Sequence, residues 1–113
     1  MEKIRAFGAV GNARGYLGRP IILSQYVKNY GNEAGEVEGD CYFTDPNGQR
    51  RECVPYGGNP GSETSVVVPA GQIRFMVFQS VNTDIKGTWT AHVIMDGMFY
   101  DTDNEKVYKI PVY

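Results

Sequence analysis

The sequence predicts an all-β protein of about seven to nine antiparallel strands packed as a sandwich or barrel. Three observations carry that expectation. Val, Ile and Thr number 12, 7 and 6, and the 8 Tyr, 5 Phe and 1 Trp add to them, against 2 Leu and 6 Ala; β-branched and aromatic side chains suit a pleated surface. Fourteen Gly and six Pro break the chain so often that only Ile21–Tyr30, Gln72–Lys86 and Met98–Ile110 run for ten residues without one, which leaves little room for helices. Apolar and polar residues alternate in successive short runs separated by turn signals. At 113 residues, the chain reads as a single domain, 1–113, able to bury a core without a metal or a disulfide cage.

Taken in order, Lys3–Val10 is a weak first strand, followed by a Gly-rich segment, 8–19, that carries Arg14 and Arg19. Such glycines suit an anion cradle only ahead of a helix N-terminus, and no helix follows. Pro20–Tyr30 places Ile21, Leu23 and Val27 on one face, and Asn29-Tyr30-Gly31-Asn32 turns the chain. Glu36–Thr44 sends Val37, Gly39, Cys41 and Phe43 inward and its acidic residues outward. Gln49–Val54 returns after a hairpin. A loop rich in Gly and Pro, 55–61, precedes Glu63–Pro69. Pro69-Ala70-Gly71-Gln72 is a turn into Gln72–Gln79, where Phe75 and Val77 are expected inside and Met76 and Phe78 outside. Gly87–Met95 places Trp89, Ala91, Val93 and Met95 on one face. Asp96-Gly97 turns into Met98–Asp101, and Lys106–Tyr113 is the last strand. Two sheets stacked about 10 Å apart would bury the alternating faces. The expected core is Trp89, Val93, Phe75, Val77, Leu23, Val27 and Phe43, with Trp89 at its centre.

Three stretches carry a resemblance. Val27-Lys28-Asn29-Tyr30-Gly31 matches a "V-x-N-x-G" element, Val66-Val67-Val68-Pro69-Ala70-Gly71 a "V-x-V-P-A-G" strand and turn, and Gly87-Thr88-Trp89 through Val93 with Asp96-Gly97 a "G-x-W/Y-x-x-x-V…D-G" strand. Together, and in this order over roughly residues 20–97, they resemble immunoglobulin-like modules of the bacterial and archaeal cell-adhesion-related domain type. The resemblance implies an immunoglobulin-like β-sandwich of two antiparallel sheets. It brings no shared catalytic residues. The long Gly-rich segment and the strand after Asp103 depart from the pattern.

Charge excludes one class of function. Eleven basic residues face thirteen acidic ones and the only adjacent basic pair is Arg50-Arg51, so the counterion-releasing patch of a nucleic-acid binder is missing. No apolar run approaches the roughly 20 residues of a spanning helix, and the N-terminus has no apolar run of signal-peptide length.

The cysteines give the sharpest geometric expectation. Thr44-Asp45-Pro46-Asn47-Gly48-Gln49 reads as a hairpin turn, with Pro pre-set for a type I turn and Gly at the left-handed bulge position. A three-residue loop centred on Asn47 sets Cys41 opposite Cys53, at a hydrogen-bonded site and within disulfide range. Two reduced, half-buried thiols are the competing reading. Two cysteines twelve apart and one distant histidine do not complete a metal site. Asp101, Asp103 and Glu105 resemble half a calcium loop but lack its glycine and its distant bidentate glutamate, so they read as a solvated acidic turn. His92 lies on an outward face with no nucleophile motif around it. No cofactor is expected.

What remains is a surface chemistry. Tyr16, Tyr30, Tyr42, Tyr56, Tyr100 and Tyr108 fall in loops or at outward positions, where tyrosine offers area and a hydroxyl at low entropic cost. Met76, Phe78, Tyr108, Ile110 and Val112 are expected as an apolar assembly contact. The function expected is a non-catalytic interaction module, a subunit of a virion shell, filament or cell-surface array, with a protein partner or further copies of itself. The alternative is a carbohydrate-binding or adhesion module using Tyr42 and Tyr56. Its expected place is a cell surface, the cell exterior or a virion, with a cytoplasmic place left open.

Overall fold

A computed structural model of the chain describes residues 4–11, 14–54, 64–96 and 105–113. Among them are eight strands: β1 (Ile4–Gly11), β2 (Pro20–Asn29), β3 (Gly35–Thr44), β4 (Arg50–Val54), β5 (Thr64–Val68), β6 (Ile73–Asn82), β7 (Gly87–Asp96) and β8 (Glu105–Val112). The protein is all-β and every strand pair is antiparallel. The expected strand 98–101 and the loop 55–61 lie outside the described residues.

The strands form one ladder in the order β1-β2-β6-β4-β3-β7-β8, with β5 also paired to β3. Strand β4 makes the connection between its two parts. Glu52, Arg51 and Arg50 pair with Tyr42, Phe43 and Thr44 of β3, whereas Cys53 and Val54 pair with Ser80 and Gln79 of β6. The lower half of β3 takes β5 in place of β4, from Gly35 opposite Val68 to Gly39 opposite Thr64.

The hairpin between β3 and β4 shows why the register is fixed. Asp45 N–H donates to Gln49 O at 2.9 Å and Gly48 N–H to Asp45 O at 2.9 Å. Gly48 has φ of 83°, a region that costs glycine little and other residues more. Asp45 Oδ1 accepts from the N–H groups of Asn47 and Gln49 at 2.9 and 3.0 Å.

The ladder curls over its own inward face. Buried residues of β2, β3, β6, β7 and β8 belong to one cluster that includes Ile21, Leu23, Phe43, Phe78, Trp89 and Val112. Trp89 is fully buried, and its Nε1–H donates to Ile85 O at 2.9 Å, so its one polar atom is satisfied. The Arg51 guanidinium lies over its ring at 5.1 Å and holds Asp84 through two hydrogen bonds of 2.8 and 3.2 Å. Those bonds hold the Asp84 carboxyl below its usual range.

The curl brings distant strands together. The Tyr108 hydroxyl, on β8, donates to the fully buried Gln25 of β2. Gly15 bridges Val112 in parallel, with Gly15 N–H on Pro111 O at 2.7 Å and Tyr113 N–H on Gly15 O at 3.0 Å. The segment after β1 therefore caps the end of β8.

Two expected orientations are corrected. On β6, Met76 and Phe78 are buried, while Phe75 is 55% exposed and Val77 only half-buried. The pairing explains the phase: Leu23 lies opposite Phe78 and Gln25 opposite Met76, and directly opposed residues share a face. Gly39 of β3 makes the room, since a Cβ there would come within 2.8 Å of Met76 Sδ and 3.0 Å of Phe78 Cζ. On β8, Ile110 and Val112 are buried and Tyr108 half-buried. They lie opposite Trp89, Gly87 and Ala91, so they share the inward face. The other expected core residues, Leu23, Val27, Phe43, Trp89 and Val93, are buried.

Gly39→Val should cost about 1–3 kcal/mol by overpacking, and adding Met76→Ala should recover at least part of that loss. A double-mutant cycle by urea unfolding checks this; independent effects would place Met76 away from Gly39.

Candidate interaction surfaces

Every residue of Ile73–Phe78 except Arg74 is apolar. Whichever face of β6 turns inward, the other must present apolar side chains outward. The outward set is Ile73, Phe75 and Val77, and Ile73 and Phe75 are 46% and 55% exposed. Phe75 lies opposite Tyr26 of β2, and their rings meet edge to face with centroids 5.8 Å apart, a favoured aromatic geometry. Lys28 Nζ sits 4.9 Å over the exposed ring of Tyr30 at the same end of the strand pair. These side chains form an amphipathic face of the kind that marks contact surfaces.

The outward face of β3, β7 and β8 has a different character. Tyr42 stacks on His92 at 4.3 Å with rings 7° from parallel, and the Arg50 guanidinium lies 4.2 Å from the centre of the same ring. Two groups that close to one centroid occupy its two faces. Tyr42 thus offers an edge, not a free face, and a sugar would have to displace one of them to stack on it. Tyr56 lies outside the described residues. His92 Nε2 is 3.0 Å from Thr44 Oγ1. Beyond this stack, Glu38 lies opposite Asp96, and Ile94 between Asp40 and Glu105. Opposed carboxylates repel. Exposed Val67, Ile94 and Val107 lie among them.

Cys41 and Cys53 are both buried, as free thiols, and Cys41 Sγ lies 3.9 Å from Tyr42 O. Cys53 together with burial pushes the Cys41 thiol up. Of the calcium candidates, Asp101 and Asp103 lie outside the described residues and Glu105 is exposed at the start of β8. Among the described residues, no group of three His, Cys, Asp or Glu side chains is placed to hold a metal ion. Among them also, no helix is long and apolar enough to cross a membrane.

One residue was present in the sequence pattern without a role attached to it. Asn29 ends β2 fully buried. Its Nδ2 donates to Glu33 O at 2.6 Å and Val68 O at 2.9 Å, and its Oδ1 accepts from Gly31 N–H at 2.8 Å. Its backbone N–H donates to Gln72 O and its carbonyl accepts from Gly71 N–H, at 3.1 and 2.9 Å. One side chain ties the loop after β2, the end of β5 and the Pro69–Gln72 turn together. The signal was the Asn two residues before a Gly at a strand end, which suits a side chain that turns its own backbone.

Solved structures share this architecture. The CARDB domain of a Pyrococcus furiosus protein, determined in complex with di-metal ions, superposes with a TM-score of 0.70 at 11% identity, covering 98% of this chain and 93% of that one. A beta-glucosidase from Listeria innocua matches at TM-score 0.60 and 13% identity over 99% of this chain, which spans only 16% of the enzyme. The alkylpurine DNA glycosylase AlkC of Pseudomonas fluorescens, bound to DNA containing an abasic site analog, matches at TM-score 0.57 and 11% identity over 98% of this chain and 30% of that one. No family model and no curated protein matches the chain. The chain therefore shares the fold of a cell-adhesion-related domain. The same fold occurs as a minor part of two much larger enzymes.

Replacing Asn29 with Ala should cost about 1–3 kcal/mol, since the buried Val68 carbonyl and two part-buried groups, Glu33 O and Gly31 N–H, lose their partner. Urea unfolding measures it; a loss below about 0.5 kcal/mol, the usual size of a neutral surface change, would show that Asn29 does not hold these segments.

Proposed function

We propose that the chain is a non-catalytic, immunoglobulin-like β-sandwich module that docks against protein, as a subunit of a surface assembly such as a virion shell, a filament or a cell-surface array. The likeness to a cell-adhesion-related domain supports an interaction role. Among the described residues, His92 is engaged by Tyr42 and Thr44, and both thiols are buried.

The observation that carries the reading is the outward face of β2 and β6, where Ile73 and Phe75 stand exposed beside Tyr26. Association removes such apolar area from water at roughly 25 cal/mol per Å² before the entropic costs of binding. A second copy is the occupant proposed, and the sequence expectation of an apolar contact on β6 is retained with the opposite set of side chains.

Phe75→Asp leaves the core residues Met76 and Phe78 untouched, so the variant should keep the wild-type circular dichroism. Sedimentation velocity should show the wild-type chain gaining mass with concentration and the variant associating at least about tenfold more weakly. A wild-type chain that stays monomeric at every concentration, or a variant that assembles as well as wild type, contradicts the proposal.

A further inference from the structure

We infer that Cys41 and Cys53 are a disulfide-forming pair whose state is set while the chain folds and is then locked inside the core, so that the folded protein retains the redox condition under which it was made. The first support is register. Tyr42 faces Glu52, Phe43 faces Arg51 and Thr44 faces Arg50; the pairing ends there, and Cys41 and Cys53 are the next residue on each strand, where continuing the register would oppose them. Directly opposed antiparallel residues have Cα atoms about 4.5–5.5 Å apart, so a pair that continues this register falls inside the span that a disulfide bridges. Both belong to the same buried cluster.

The second support is burial at a structural junction. Cys41 is 1% exposed and Cys53 8%. Cys41 lies opposite Val93 on its other side, and Cys53 is the residue at which β4 leaves β3 for β6, opposite the fully buried Ser80. An oxidant that must touch sulfur has no approach while this junction is closed.

The chemistry is thiol–disulfide exchange with a glutathione disulfide or a protein disulfide as the oxidant. One cysteine thiolate attacks the oxidant's disulfide and releases one of its sulfurs as a thiol. The second cysteine then attacks the mixed disulfide and releases the other. One S–S bond forms within the chain, one S–S bond of the oxidant breaks, and the two thiol protons end on the oxidant's two sulfurs. Both steps need a thiolate and an in-line approach. The unfolded hairpin supplies both, whereas in the folded chain the neighbouring thiol and burial push Cys41 away from ionisation. Exchange in the folded protein must wait for local opening, which is rarest in the core.

Intact mass after alkylation of free thiols tests this in two arms. In the first, reduced, unfolded chain is refolded in a glutathione redox buffer; the expected product lacks two hydrogens and takes up no alkylating agent, and Cys53→Ser gives no such species. In the second, the chain is refolded with excess dithiothreitol, freed of it, and moved to the same glutathione buffer. It should then oxidise at least about 100-fold more slowly than the unfolded chain, and the bridged protein should resist dithiothreitol until denaturant is added. Two free thiols or glutathione adducts in the first arm overturn the pairing. Oxidation of the folded chain within about tenfold of the unfolded rate overturns the lock.

Discussion

Strand β4 changes partner in the space of one residue: Glu52 pairs with β3 and Cys53 with β6. Without that change the β1-β2-β6 strands and the β3-β7-β8 strands would be separate ladders. With it they are one ladder whose inward face closes on itself. The side chains around the change of partner are the ones that stabilise the closure. Arg51 covers Trp89 from this strand and holds Asp84 across to the segment before β7. Asp45, whose side chain has no exposed surface, fixes the preceding turn through two backbone N–H groups and lies 3.4 Å from Arg51. At the far side the closure is completed by Tyr108 reaching Gln25 and by Gly15 bridging Val112. A polar group buried in this way stabilises only while its partner is present, so these bonds specify how the rims meet.

The same closure determines which surface is left for function. A curled ladder has one inward face, and the side chains of β6 exceed what that face can take. Met76 and Phe78 fill the space that Gly39 leaves, and Ile73 and Phe75 stay in water. The outward face of β3 and β7 differs, with the Arg50–Tyr42–His92 stack and opposed carboxylates around exposed Ile94. The molecule therefore presents two chemically distinct faces on one core.

Much of this was legible in the sequence because strand ends coincide with strong turn chemistry. Asp45-Pro46-Asn47-Gly48 fixes both a turn and a register, and Gly39, Cys41 and Phe43 alternate with polar residues, so their faces follow from period two. The phase of β6 was not legible, because five of the six residues from Ile73 to Phe78 are apolar and either face satisfies the pattern. Only the pairing of Leu23 with Phe78 decides it. For β8 the difficulty was similar: Val107 alternates with Tyr108 and Ile110, and the side that faces Trp89 depends on a register that the sequence between Asp96 and Glu105 does not specify. Asn29 was visible as part of a motif, but its partners at Val68 and Gln72 are some 40 residues away, beyond the reach of a local pattern.

In the proposed assembly the outward side of β6 is apolar, accessible in the free chain and covered on association. Proton relaxation enhancement by a soluble, uncharged paramagnetic agent reads it residue by residue. In dilute solution Ile73 and Phe75 should relax strongly while Met76 and Phe78 are protected, and raising the protein concentration should protect Ile73 and Phe75 as well. Strong relaxation of Met76 and Phe78, or an exposed Phe75 whose relaxation is unchanged at every concentration, would contradict the account.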